Sequence, residues 1–437
     1  MLSEHSIFEK PHVRLGLILL IIAVVAATGY RTWKEWSPPS SKFDWDRRGH
    51  SDFHYGTYQP TRAFIDGNSP YTMDVCEPYQ MPRPVPAFSP AAFIVHTPFG
   101  LLDLKTSNVL FFIFNLFLVA AIALLSYRFV DEKIRLGILL SVLLMLLLSR
   151  PGHQTLFTGY FTAECAIGTL LALHFARTKP WLSGVGLLLT SFKPNFLIPL
   201  AILMVCRRDF RAVVYGGILC AIGVVVGLGW LASFSSPAEV IQGVLSGNEA
   251  HENNPNVAPE NTWVRIDLIG MIYKAFGGKP DFLLYLLTMV PMLGIPGWYL
   301  WHYGKQNYRY GASDVSGLLI GLTMLLALYH STYDALILAA PFTAMLFYGP
   351  KVMPELSNRS RFWIGSLIAV SSMNYLATLS GKKLLNLSTE SLLWQWLSVL
   401  SGICLLLALI LLVAMLFTSK RPETQPADSL PGVPHST

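Results

Sequence analysis

Charge is what this 437-residue chain has least of: Asp, Glu, Lys and Arg make up 13% of it, against 53% hydrophobic residues and a mean hydropathy of +0.47. So apolar a chain cannot solvate itself as a globule, and it repeatedly offers runs of bilayer length, so it reads as a polytopic membrane protein. Cysteine is also scarce. Cys76, Cys165, Cys206, Cys220 and Cys404 lack metal-ligand spacing, and four of them sit in apolar runs, which argues against a zinc site or a disulfide framework. No internal repeat strong enough to suggest duplicated transporter halves is visible. A continuous basic face is missing too: the net charge of +6 is spread over short clusters between apolar runs, so it gives no nucleic-acid signal.

Those basic clusters report topology instead. Lys10 and Arg14; Arg128, Lys133 and Arg135; Arg177 and Lys179; Arg207, Arg208 and Arg211; Lys305 and Arg309; Lys351, Arg359 and Arg361; and Lys420 and Arg421 all lie in short loops or ends. The positive-inside rule makes them cytoplasmic. Threading the apolar runs through these anchors predicts spans near 15–31, 107–128, 134–149, 157–176, 211–234, 281–303, 314–329, 334–349, 362–380 and 392–418. The first run, Leu15 to Tyr30, carries no obvious small-residue cleavage site and reads as an uncleaved helix.

Residues 181–206 lie between two cytoplasmic clusters and must therefore cross an even number of times. Ser191-Phe192-Lys193-Pro194-Asn195 interrupts that run, and Pro194 both lacks an amide donor and disfavours helix at Lys193. The expectation is a pair of short half-helices meeting near the outer face, with their break buried in protein or lining a cavity. The fold class is then an all-α polytopic membrane protein of about twelve membrane segments. It forms one integral membrane domain over residues 1–418, with both termini cytoplasmic and a disordered cytoplasmic tail at 419–437.

Two long polar stretches fall outside on this topology. Residues 32–106 form a first extracytoplasmic loop with an amphipathic helix at about 52–66, an Asp66-Gly67-Asn68-Ser69-Pro70 turn and a proline-studded return; the apolar residues 88–104 suit a helix packed at the interface. Residues 235–265 form the second, free of Lys and Arg from Ser235 to Val264.

Polar groups in or beside apolar segments are functional candidates by default, because each is costly to hold there. Asp52, His153, Gln154, Lys193, Arg265, His330 and Asp334 all face outside on the predicted topology, and that convergence is the argument for a site. Each also has a structural reading. Asp52 suits a helix N-cap; His330 and Asp334, four apart, suit a mutual contact on one helical face; Lys193 suits snorkelling to headgroups.

The order of motifs carries a resemblance. Asp52-Phe53-His54-Tyr55, then Gly67-Asn68-Ser69-Pro70-Tyr71, His96-Thr97-Pro98-Phe99-Gly100, Gly152-His153-Gln154, Phe192-Lys193-Pro194 and His330-Ser331-Thr332-Tyr333-Asp334 resemble glycosyltransferase family 87 over roughly residues 15–350. The family comprises membrane enzymes of the GT-C fold, among them bacterial polyprenyl-phosphate-mannose-dependent mannosyltransferases. The resemblance implies a general base in the first extracytoplasmic loop, at Asp52, with Asp44 and Asp46 close by as rivals. It also implies a polyprenyl-phosphate-linked sugar donor and a lipid or glycan acceptor.

Such a donor brings its own leaving group, so the chemistry needs one base for the acceptor proton and cations or donors for the departing phosphate. A single carboxylate opposite the leaving group implies inversion, unlike the paired carboxylates of glycosidases. Lys193 and Arg265 are the expected phosphate partners, with His330 assisting as a second catalytic residue; His54, Tyr55, Gln154 and Asp334 complete the expected substrate-binding set. This scheme needs no metal and no cofactor, and no obligate protein partner is evident. A secondary transporter or a lipid-linked-sugar flippase remains the alternative; it would keep a lipid groove without needing Asp52 as a base.

Overall fold

The computed structural model describes residues 7–418 except 37, 39, 41, 43, 45, 46, 132, 253–261, 278–281 and 304–310. Asp46 and the 419–437 tail therefore lie outside the described residues. Within them the chain is all helix, with no strand and only two isolated bridges, Trp36 with Gly49 and Arg265 with Ser331.

Among the described residues, six helices are long and apolar enough to cross a membrane: Pro11–Lys34, Leu104–Arg128, Phe210–Ala232, Phe282–His302, Thr332–Val352 and Leu392–Thr418. A seventh arises if Leu136–Leu148 and Arg150–Thr158, bent by 66° at their junction, count as one. The remaining sequence-expected segments fall on shorter helices, Thr162–Phe175, Pro180–Thr190, Pro194–Cys206, Val315–Ala327 and Asn358–Ser372. At a rise of about 1.5 Å per residue, helices of this size stop short of a hydrocarbon core about 30 Å thick. By length and composition, six described helices, or seven with the bent pair, suffice to cross, and the expected count of about twelve is not confirmed.

The interruption within 181–206 is present as the sequence predicts. Helix Pro180–Thr190 ends at Ser191, Lys193 is extended (φ −123°, ψ 115°), and Pro194 opens the helix Pro194–Cys206. Pro194 sits where its missing N–H costs nothing, at the first helical position. Glycines let the neighbouring helix close in: a Cβ at Gly168 would lie 2.6 Å from the Gly186 carbonyl oxygen, so Thr162–Phe175 and Pro180–Thr190 run backbone to backbone.

The helix expected at 52–66 forms over residues 51–65, but it is not a two-faced surface helix. Phe53, His54, Thr57, Tyr58, Thr61, Ala63 and Phe64 are all buried, on several sides of the axis. Its middle, His54–Tyr58, widens to a π-turn just before Pro60. Proline has no N–H to give the Gly56 carbonyl and its ring presses on that oxygen, so the turn opens. Helix Pro90–Gly100, capped by Ser89, is the apolar element between the prolines.

A core of buried apolar side chains runs through the helices between Ala91 and Leu416. At the Phe175 end of helix Thr162–Phe175, Arg207 is tied to Asp209, to Ser316 Oγ at 3.2 Å and to the Leu173 carbonyl at 2.9 Å. At the Thr162 end lies the cluster described next.

Candidate functional site

Lys193 is the centre of the cluster. Extended backbone ahead of Pro194 throws its side chain into the protein, where it is 5% exposed; its Nζ lies 3.1 Å from Asp334 Oδ1 and 3.2 Å from Thr162 Oγ1. Thr162 in turn donates to Asp334 Oδ1 at 3.1 Å. The ammonium also sits over aromatic faces, 4.0 Å from the ring centre of Tyr160 and 5.0 Å from that of Tyr333. Such faces attract a cation without neutralising it. Lys193 therefore does not snorkel to the surface.

Asp334 belongs to a capping box: its Oδ2 accepts from the Ser331 amide at 2.9 Å and faces His330 Nδ1 at 3.1 Å. The other ring nitrogen of His330, Nε2, lies 3.2 Å from the Asn195 carbonyl oxygen. Both ring nitrogens thus face oxygen atoms. The buried cluster holds an ammonium and an imidazole within hydrogen-bond distance of one carboxylate. Asn195 also donates to the Tyr329 carbonyl, so both halves of the break are tied to the turn at 329–334.

Arg265 braces the same turn from the other side. Residues 264–266 pair with 330–332, Ile266 N to the His330 carbonyl at 3.0 Å and Thr332 N to the Val264 carbonyl at 2.8 Å. The Arg265 guanidinium lies over Tyr329 and grips Asp267 through Nε and Nη2 at 2.8 and 2.7 Å, while Asp267 caps helix Leu268–Phe276. Gln154 joins through Thr332, whose hydroxyl donates to its Oε1 at 2.9 Å. His153, beside it, turns instead to Thr28 and Arg31, both at 3.3 Å.

Asp52 stands across from this cluster, half-buried in the first turn of its helix. It acts through space on Tyr160 and Tyr333, the two rings that cover Lys193. Close packing makes this possible. A Cβ at Gly56 would lie 3.1 Å from the Tyr160 ring, and Gly159, at φ +70°, lets the chain turn under Phe53 and His50. His54 and Tyr55 take other partners: His54 Nε2 meets Asn108 Oδ1 at 2.9 Å, and the Tyr55 hydroxyl donates to the Pro38 carbonyl at 3.3 Å.

Two arginines that the sequence reading passed over complete the surroundings. Burial lowers the pKa of Arg48, with Asp52 as the largest opposing influence. Burial lowers Arg83 likewise, against Tyr329, Tyr160, Asp52 and Tyr333. Tyr160, Thr162 and Tyr333 were missed as well. Their only sequence signal is aromatic or hydroxyl character next to a glycine or within a motif already noted. A small apolar cavity of about 110 Å³ is lined by Ala335, Leu336, Ala339, Met145, Leu146 and Phe342 among others. No group of three or more His, Cys, Asp or Glu side chains able to hold a metal occurs among the described residues.

A family model described as glycosyltransferase family 87 matches residues 87–328, more than half of the chain. Lys193, Gln154 and Arg265 lie inside the matched stretch; Asp52, His330 and Asp334 lie outside it. No curated protein and no solved structure matches this chain.

Proposed function

The chain belongs to glycosyltransferase family 87, and from that premise we propose that it moves a hexose, mannose by the family's example, from a polyprenyl-phosphate donor to a lipid or glycan acceptor at the extracytoplasmic face of a cell membrane. The protein is a multi-pass membrane glycosyltransferase. One observation carries the finer reading: a single half-buried carboxylate, Asp52, shares the Tyr160 and Tyr333 rings with the buried Lys193–Asp334–His330 cluster.

In this reading Asp52 takes the proton from the acceptor hydroxyl as its oxygen attacks the anomeric carbon. The bond from that carbon to the phosphate oxygen breaks, its electron pair leaves with the phosphate, and polyprenyl phosphate is released with inversion at the sugar. Lys193 and His330 stabilise the charge that builds on the leaving oxygen. Asp334 holds both side chains in place. Gln154 and Arg265 fix the turn at 329–334 that presents them, while His54 and Tyr55 support the helix bearing Asp52.

The test is transfer by the purified protein in vesicles. Radiolabelled polyprenyl-phosphate mannose, offered with total membrane lipid as acceptor, is expected to give labelled product and free polyprenyl phosphate in equal amounts. Movement of intact donor across the vesicle wall, with no sugar transferred, would favour a flippase and defeat the proposal.

A further inference from the structure

Three buried cations come with their own counter-charges. Lys193 is matched by Asp334, Arg265 by Asp267 and Arg207 by Asp209, each within ion-pair distance and each nearly inaccessible. Arg150 has no carboxylate, but its guanidinium donates to the Asn374 and Ala377 carbonyls at 3.0 and 2.7 Å. Arg83 is different. Among the described residues its side chain has neither an ion-pair partner nor a hydrogen bond, and Asp52 is the one carboxylate that acts on it through space.

Its backbone is held stiffly. Pro82 and Pro84 flank it, which fixes φ on either side and keeps Arg83 itself out of the helical region. The strap that carries it is pinned at three points: Val85 N to the Pro70 carbonyl at 3.1 Å, the Tyr71 hydroxyl to the Phe88 carbonyl at 2.6 Å, and Ser89 N to the Phe192 carbonyl at 3.3 Å. The last bond joins the strap to the residue before Lys193. The strap thereby packs against the cluster, with the Phe88 ring centre 5.2 Å from that of Phe161 and 6.4 Å from that of Tyr160, and Tyr329, Tyr160, Asp52 and Tyr333 act on Arg83 through space.

A half-buried guanidinium loses hydration without gaining a partner, and an anion placed between it and the cluster restores both. Arginine's planar fork matches two phosphate oxygens at once, which a lysine cannot do. Building on the glycosyl-transfer reading above, we infer that Arg83 is the principal phosphate clamp of the donor site, gripping two oxygens of the polyprenyl-linked phosphate while Lys193 and His330 face the oxygen that leaves. Loss of a charge-assisted bidentate contact then weakens phosphate-lipid binding by about tenfold or more.

The experiment measures binding rather than turnover, using full-length protein in neutral vesicles and fluorescent polyprenyl phosphate or polyprenol as probes. Wild type should prefer the phosphate form; Arg83→Gln should lose most of that preference and leave polyprenol binding unchanged; Arg83→Lys should fall between. Lys105→Gln, an exposed change outside the site, controls for general charge and should match wild type. Equal phosphate preference in Arg83→Gln and wild type, or no preference in wild type, would overturn the inference. So would full competition by phosphatidylglycerol vesicles, since Arg83 would then read any anionic headgroup. These outcomes do not depend on sugar transfer. A protein that binds the phosphate lipid through Arg83 but transfers no sugar would sink the transferase reading alone.

Discussion

Removing one member of the Lys193–Asp334 pair should damage the fold more than removing both charges. The pair is 3.1 Å apart with side chains 5% and 1% exposed, so either partner left alone is a charge in a dry interior. Breaking a buried pair typically costs about 3–5 kcal/mol, whereas replacing the pair by neutral groups is often close to neutral. The local bonding places each variant within that range. In Lys193→Met, Asp334 keeps three donors, from His330, the Ser331 amide and Thr162, so the cost falls near about 3 kcal/mol. In Asp334→Asn, Lys193 keeps Thr162 and its aromatic faces but loses its counter-charge, which puts the cost nearer about 5 kcal/mol. The double variant retains an amide oxygen for the Ser331 N–H and contains no unmatched lysine, so it should be more stable than either single variant. Melting of the four proteins in detergent, followed by the loss of monodisperse protein, measures this directly. A Lys193→Met variant that melts with wild type, or a double variant that melts at the sum of the two single losses, would refute the reasoning.

Further outcomes follow from the geometry around the site. Gly159→Ala puts a Cβ 2.8 Å from Phe53 Cβ at a backbone φ of +70°, so it should cost about 1–2 kcal/mol from the left-handed backbone alone and loosen Tyr160 from the Asp52 helix; an alanine variant that melts with wild type would contradict this. At Arg265 the stability order should be arginine, then lysine, then methionine, because lysine keeps the charge but not the two-point grip on Asp267, and methionine leaves that carboxylate buried alone. Lysine indistinguishable from arginine in a melting measurement would show that the bidentate geometry contributes nothing.

The sequence carried the fold class and the break at Lys193 clearly, since both follow from local rules: hydrophobic run length and the missing proline N–H. It also placed Lys193, His330, Asp334, Gln154 and Arg265, which the fold brings to one turn, because polar residues beside apolar runs are conspicuous. What it did not carry was partnership. Asp267 as the grip for Arg265, Thr162 as the bridge between Lys193 and Asp334, and Tyr160 as the ring over the ammonium depend on contacts between segments far apart in the chain. Arg83 was hidden for the same reason: in a polar loop an arginine between prolines looks solvated, and only its burial in the fold shows otherwise. Expected spans exceeded the helices of span length because apolar runs such as 157–176 and 314–329 fold into helices of only 14 and 13 residues.

The claim on which the account rests is that Asp52 accepts the acceptor's proton, and transfer kinetics of Asp52→Asn beside Asp44→Asn test it most directly. Asp44 is exposed and accepts from the Arg47 amide at 3.3 Å, so it makes the natural control in the same loop. Asparagine keeps the size and polarity of Asp52 but cannot accept the proton, so turnover should fall by about 10²-fold or more while binding of the polyprenyl-phosphate donor stays nearly unchanged. Asp44→Asn should transfer sugar close to the wild-type rate. Retained turnover in Asp52→Asn together with its loss in Asp44→Asn would move the base to the preceding segment and contradict the assignment.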